Sequence, residues 1–209
     1  MPISDPDNQN AKNYSNGSLS SLAEQLRLTG RYPGSRWVPS PNFGPRPEGA
    51  PISLLVVHNI SLPPGQFGGS EIEDFFCNRL DPAAHPYFET IASMQVSAHA
   101  LVRRDGSVVQ FVSCLDRAWH AGRSCFDGQE ECNDFSIGIE LEGADDIPYT
   151  PEQYRTLTEL ARLTMMAWPE ISVERITGHS DIAPGRKTDP GPAFDWSYFA
   201  QLLTHEEIA

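Results

Sequence analysis

An almost unbroken apolar run, Ile52-Ser53-Leu54-Leu55-Val56-Val57, rich in β-branched residues, stops abruptly at His58-Asn59. Such a strand offers no face to water and needs cover on both sides. It therefore sets a sheet at the centre of the fold and asks the rest of the chain for the elements that cover it.

The remaining pattern supplies them. Val96 to Arg103 and Ser107 to Val112 are β-type runs on either side of Arg104-Asp105-Gly106, and Asp-Gly at that point predicts a hairpin. Phe135 to Leu141 (FSIGIEL) alternates and reads as another strand, and Ser172 to Thr177 as the last. Helices are expected after Ser70, carrying Ile72, Phe75 and Phe76 inward, and after Thr150. There the sequence Thr150-Pro151-Glu152-Gln153 provides a cap, a first-turn proline and a capping partner. The second helix presents Tyr154, Leu157, Leu160, Ala161, Met165 and Trp168 on one stripe, and Asp195 caps a final helix with Phe199, Leu202 and Leu203. Strands and helices mixed in this way, with a hairpin among them, predict an α+β domain: a mixed central sheet flanked by helices, not an all-parallel one.

Residues 1–30 read as an N-terminal tail, and 31–209 as one folded domain. The stretch from Met1 to about Ser18 is Asn-, Ser-, Asp- and Pro-rich with little to bury, and Leu19, Leu22 and Leu26, behind a Ser21/Glu24 capping pair, mark a short helix. The net charge of −13 repels phosphate backbones and anionic lipid, so neither a nucleic acid nor a membrane is an expected partner. The N-terminus lacks a basic region followed by an apolar core, and no apolar run approaches the ~20 residues of a membrane helix. The expectation is a cytoplasmic protein, monomeric by default. In that compartment Cys77, Cys114, Cys125 and Cys132 are expected as free thiols, although Cys125 and Cys132 are close enough in sequence to be bridged.

Three places could carry chemistry. His58 ends the apolar strand, and Glu140 interrupts an otherwise apolar or glycine-containing one. The third is the Pro- and Gly-punctuated run from Thr177 to Gly191, which brings His179, Asp181, Lys187 and Asp189 into one loop. A histidine and a carboxylate ten positions apart reach one ion if the loop folds back, and His58 would complete a two-His, one-carboxylate set with a position open for water. Such an ion acidifies water and polarises a carbonyl. Glu140 has the chemistry of the base that amide hydrolysis also needs, and Lys187 that of the oxyanion donor. Each residue has an ordinary reading as well: a structural histidine at a strand end, a solvent-facing glutamate, a surface Lys–Asp pair. No H-E-x-x-H ties the ligands together locally.

The strings LLVVHNISLPPGQFGG, VSAHALVRRDG, RAWHAG, CNDFSIGIELEG and TGHSDIAPGRKTDPGPAFDW, in order from about Arg36 to Leu203, resemble the 1,6-anhydro-N-acetylmuramyl-L-alanine amidases. These form the AmpD family, within the wider group of phage T7 lysozyme and the peptidoglycan-recognition proteins. The resemblance implies zinc on His58, His179 and Asp189, with Glu140 as general base and Lys187 as donor to the transition state. It also implies that Asn59, Trp119, His120 and Ala183 lie near substrate. The expected activity is hydrolysis of the amide between anhydro-N-acetylmuramic acid and L-alanine in soluble muropeptides, for cell-wall recycling. An endolysin acting on intact peptidoglycan and a recognition module that does not cut are the alternatives. A protein-interaction regulator, a role phage T7 lysozyme also has, finds no support in this sequence.

At Gln95 and Glu131 the chain departs from the family pattern, in which arginines contact the sugar or a diaminopimelate carboxylate. Arg103, Arg104 and Arg123 are the cations available to compensate. His99 is expected as a structural strand residue, His85 and His205 as loop and tail residues, and Asp181 as an organiser of the loop rather than a ligand.

Overall fold

The computed structural model describes residues 16–204. In chain order, α1 (Asn16–Thr29) is followed by β1 (Arg36–Trp37), β2 (Phe43–Gly44) and β3 (Leu54–Ile60), then by α2 (Glu71–Phe76) and α3 (Pro86–Ile91). The strands β4 (Ala100–Val102), β5 (Val108–Gln110), β6 (Arg117–Ala118), β7 (Cys125–Phe126), β8 (Gln129–Glu130) and β9 (Ser136–Glu142) come next. The chain closes with α4 (Pro151–Ala167), β10 (Ile176–Gly178), α5 (His179–Ile182) and α6 (Trp196–Thr204).

Six strands form the mixed sheet the sequence calls for, in the order β1-β5-β4-β9-β3-β10. Its central pairs, β4–β9, β9–β3 and β3–β10, are all parallel, whereas β4–β5 is the antiparallel Asp-Gly hairpin. Both faces of the sheet are covered. Leu55, Val57, Ile137, Ile139 and Leu141 join Leu157, Leu160 and Ala161 of α4 in one core, with Ala23 and Leu26 of α1 and Phe199 of α6. The intervening residues point the other way. Leu54 and Val56 pack with Ala121, Phe135 and Ile182, and Leu101 packs with Phe75 and Phe76 of α2 and Phe88 of α3.

Every residue of β9 is therefore buried, and the alternation in FSIGIEL separates two buried faces instead of core from solvent. Ile137, Ile139 and Leu141 face α4, which leaves Ser136, Gly138 and Glu140 in one row on the opposite face. In the parallel register Glu140 lies beside His58, and Gly178 lies beside Val57. The chain of β10 thus delivers His179 next to His58 at the C-terminal edge of the sheet, where open α/β sheets place their sites.

Several boundaries differ from the expected ones. α1 begins at Asn16, a turn before the Ser21/Glu24 pair, because Leu19 as well as Leu22 packs on the core. The first hairpin strand is confined to Ala100–Val102, since residues before it are held singly, Val96 O by the Asn42 amide and Ser97 N–H by Trp119 O. Val173–Arg175 is a 3₁₀ turn whose Val173 faces solvent, so the last strand shrinks to three residues. The helix α3, capped by His85 accepting from Tyr87 N–H with Pro86 in its first turn, stands where a loop was expected. Residues 1–15 of the expected tail and His205 lie outside the described residues. All four cysteines are free thiols, and among the described residues no helix is long and apolar enough to cross a membrane.

Candidate metal centre

His58 ends the buried part of β3, His179 opens α5, and Asp189 ends the loop that folds back over both. Three atoms converge there: His58 Nδ1, His179 Nδ1 and Asp189 Oδ2, each 3.0 Å from the other two. Ligands at about 2.0–2.1 Å around a tetrahedral zinc ion stand about 3.3 Å apart, so the triangle matches the donor set of a metal site in slightly contracted form. The donor chemistry fits as well. His179 Nε2 lies 3.0 Å from the Ala121 carbonyl, which can only accept, so the proton of the neutral ring sits on Nε2 and Nδ1 is bare. A bare nitrogen and a carboxylate oxygen held this close repel each other unless a cation stands between them. Burial holds His58 down to about 4, so the ring is neutral at neutral pH and available as a ligand.

The loop is built to present Asp189. Asp181 Oδ2 accepts from Gly178 N–H and Thr177 Oγ1–H, capping α5 rather than joining the histidines. Asn59 Nδ2 donates to Pro190 O and to Asp145, and Tyr149 Oη–H donates to the same Pro190 carbonyl. Ala183 is buried, and its carbonyl accepts the amides of Arg186 and Lys187. Lys187 is exposed, and its charge acts on both Glu140 and His58.

Glu140 is buried, and its Oε2 has no hydrogen-bond partner. Burial and the nearby Asp189 push its carboxyl well above the usual range, and Lys187 partly offsets them. A buried acceptor left unpaired at the rim of a metal triangle is unfavourable for folding and useful for taking a proton.

The other expected residues fall in different places. Trp119 is half-buried, one position before His120, its backbone paired with Ser97. His120 lies behind His58, buried, with its Nδ1 2.9 Å from His58 Nε2. His99 accepts from Gly138 N–H and lies within hydrogen-bonding distance of Asp116 O, a structural residue as expected, although it stands one position before β4 and not in it. Arg103 is bound to Glu73 and Glu142, and Arg104 donates to Pro148 O and lies over Phe67. Glu131 contacts Arg117. The sequence reading missed Ser136 and Asn133, which contact His120 directly, and their only sequence signal is that both fall in the CNDFSIGIELEG string.

The model of the N-acetylmuramoyl-L-alanine amidase family matches residues 48–192. The 1,6-anhydro-N-acetylmuramyl-L-alanine amidase AmpD of Escherichia coli K12 is 56% identical over 173 residues, covering 83% of this chain and 94% of the relative. The counterpart from Enterobacter cloacae is 58% identical over 170 residues, covering 81% and 90%. A crystal structure of a selenomethionine AmpD superposes with a TM-score of 0.81 at 54% identity, over 84% of this chain and 97% of the other. The E. coli amidase AmiD, solved with anhydro-N-acetylmuramic acid-L-Ala-D-γ-Glu-L-Lys, is similar at a TM-score of 0.54 and 31% identity, over 75% and 60%.

Proposed function

The chain belongs to the N-acetylmuramoyl-L-alanine amidase family, and we infer from its site that it hydrolyses the amide between 1,6-anhydro-N-acetylmuramic acid and L-alanine in soluble muropeptides. The observation that carries this reading is the triangle of His58 Nδ1, His179 Nδ1 and Asp189 Oδ2 with the unpaired Glu140 oxygen beside it. The relatives that cover most of both chains, at 54–58% identity, are amidases of that specificity, and the AmiD complex holds an anhydromuramyl peptide.

His58, His179 and Asp189 would hold a zinc ion, a choice supported by their two-imidazole, one-carboxylate chemistry. The ion, when bound, supplies Lewis-acid polarisation of the scissile carbonyl and lowers the pKa of water. The protein's own residues do the rest. Glu140 takes a proton from the attacking water, whose oxygen forms a bond to the lactyl carbonyl carbon. The Lys187 ammonium donates to the carbonyl oxygen as it gains negative charge. The carbon–nitrogen bond then breaks, and Glu140 returns the proton to the departing L-alanine nitrogen. Trp119 lines the approach, while Asn59 and Ala183 hold the loop in place for substrate.

The acidic surface favours small soluble fragments over an anionic wall, and the role is cytoplasmic recycling of muropeptides. Incubation of the protein with anhydromuramyl-tripeptide and, in parallel, with purified sacculi tests this. Release of free tripeptide without loss of turbidity in the sacculi is expected. Turbidity loss would make the protein an endolysin, and intact tripeptide substrate with a folded, metal-loaded sample would make it a recognition module.

A further inference from the structure

Two neighbouring residues stand behind the two histidines of the triangle. His120 faces His58 through its side chain, 2.9 Å from Nδ1 to Nε2, and Ala121 faces His179 through its carbonyl, 3.0 Å from Nε2. One side chain holds this pair: Asn133 Oδ1 accepts both the His120 N–H, at 3.1 Å, and the Ala121 N–H, at 2.8 Å. The segment that carries Asn133 is fixed in turn by Arg46, whose buried guanidinium donates to Asn133 O, Asp134 O, Cys114 O and Ser136 O.

The hydrogen bonds beyond His120 have only one possible direction. The Cys132 carbonyl has no proton, so the Ser136 hydroxyl donates to it. With its single proton committed, Ser136 Oγ must accept from His120 Nε2, 3.1 Å away. A neutral imidazole with its proton on Nε2 is bare at Nδ1, so His58 Nε2 donates to it. His58 is then bare at Nδ1, the atom that faces Asp189. The relay reads Cys132 O, Ser136 Oγ–H, His120 Nε2–H, His58 Nε2–H, with every proton pointing away from the triangle.

We propose that the His120-Ala121 dipeptide, held by Asn133, is a positioning element that fixes the tautomers of both histidines so that their bare nitrogens face Asp189. This rests on the reading of His58 and His179 as metal ligands. His120 is buried and acts through His58. Its contribution is to remove the wrong tautomer of His58, which would aim an N–H at the metal, and to hold the ring against rotation. The row of small residues on β9 fits this purpose: Ser136 ends the relay, and a Cβ at Gly138 would stand 2.5 Å from the His120 ring.

Two measurements on the full chain test the proposal. Long-range ¹H–¹⁵N correlation of the histidine rings, in metal-stripped and zinc-loaded protein, reads each tautomer directly. His58, His120 and His179 are expected as Nε2–H, with zinc shifting Nδ1 of His58 and His179 but leaving His120 in the same form. An Nδ1–H ring at His120 overturns the relay. Absence of a zinc shift at His58 and His179 overturns the ligand assignment itself, and that failure is read independently of His120. The second measurement is zinc affinity by chelator competition. His120→Leu is expected to weaken binding 10- to 100-fold, and His120→Asn, which can place an amide oxygen near Nδ1, to recover most of it. A folded His120→Leu that holds zinc as tightly as the parent refutes the role. If that variant does not fold, the ring spectra of the unmodified protein decide alone.

Discussion

The replacement of Gly138 by alanine puts the packing behind the site under direct strain. The new Cβ would lie 2.5 Å from His120 Cγ and Nδ1 and 2.8 Å from Cδ2, whereas ordinary contact begins at 3.4 Å. The ring must move by about 0.9 Å, since the strand is paired on both sides and cannot. A shift of that size takes at least one of the hydrogen bonds to His58, at 2.9 Å, and Ser136, at 3.1 Å, beyond useful length. Overpacking costs about 1–3 kcal/mol, and stranding a buried imidazole nitrogen about as much again. Replacing glycine in a strand returns up to about 1 kcal/mol. The net is about 3 kcal/mol, or roughly 6–12 °C in melting temperature for a domain of this size. Differential scanning calorimetry measures it, with Gly44→Ala as control, because a Cβ there meets nothing within 4 Å. A Gly138→Ala protein that melts within two degrees of the control and keeps its zinc affinity would refute the packing argument.

Further expectations concern the residues around the triangle. Lys187→Ala should lose on the order of 10²–10³ in kcat while binding zinc normally; unchanged turnover removes Lys187 from the reaction. Glu140→Gln should lose roughly 10²–10⁴ in rate yet, when metal-free and at a pH where the parent carboxyl is ionised, melt higher than the parent, because burial and Asp189 disfavour that charge; a lower melting temperature would contradict the burial argument. In the metal-free chain, burial holds His58 at about 4, His99 at about 3 and His120 well below the ordinary value. The unfolded chain binds protons these rings refuse, so stability is full above about pH 6.5 and falls toward pH 4, by roughly 1.4 kcal/mol per pH unit for each histidine. Glu140, shifted upward, contributes stability as pH falls and works against that loss. Thermal melts of the stripped protein should therefore hold level from pH 7.5 to about 6.5 and fall from there to pH 5, and a profile flat throughout would argue against neutral buried rings.

Much of this arrangement is legible in the sequence. The apolar run ending in His58, the Asp-Gly hairpin and the Thr150 capping box each state a local rule that the fold obeys. The alternation in FSIGIEL is visible there too, but its meaning is not. Only the parallel register with β3 and the packing of α4 reveal that Ser136, Gly138 and Glu140 share the face of His58. The helix α3 could have been read from His85-Pro86, a cap followed by a first-turn proline. The surroundings of His120 could not. Its partners lie 62 residues before it and 16 after it, and nothing in local spacing says which residues long-range packing will join.

Cleavage of the muramyl–alanine amide is expected to require a metal held by His58, His179 and Asp189. This requirement is tested most directly by stripping the protein with a chelator and following anhydromuramyl-tripeptide by mass spectrometry before and after zinc is returned, alongside Asp189→Ala. Release of a peptide beginning with L-alanine is expected, abolished by stripping, restored by stoichiometric zinc in the parent and not in the variant. Full cleavage by the stripped protein, or by Asp189→Ala without bound metal, would contradict it.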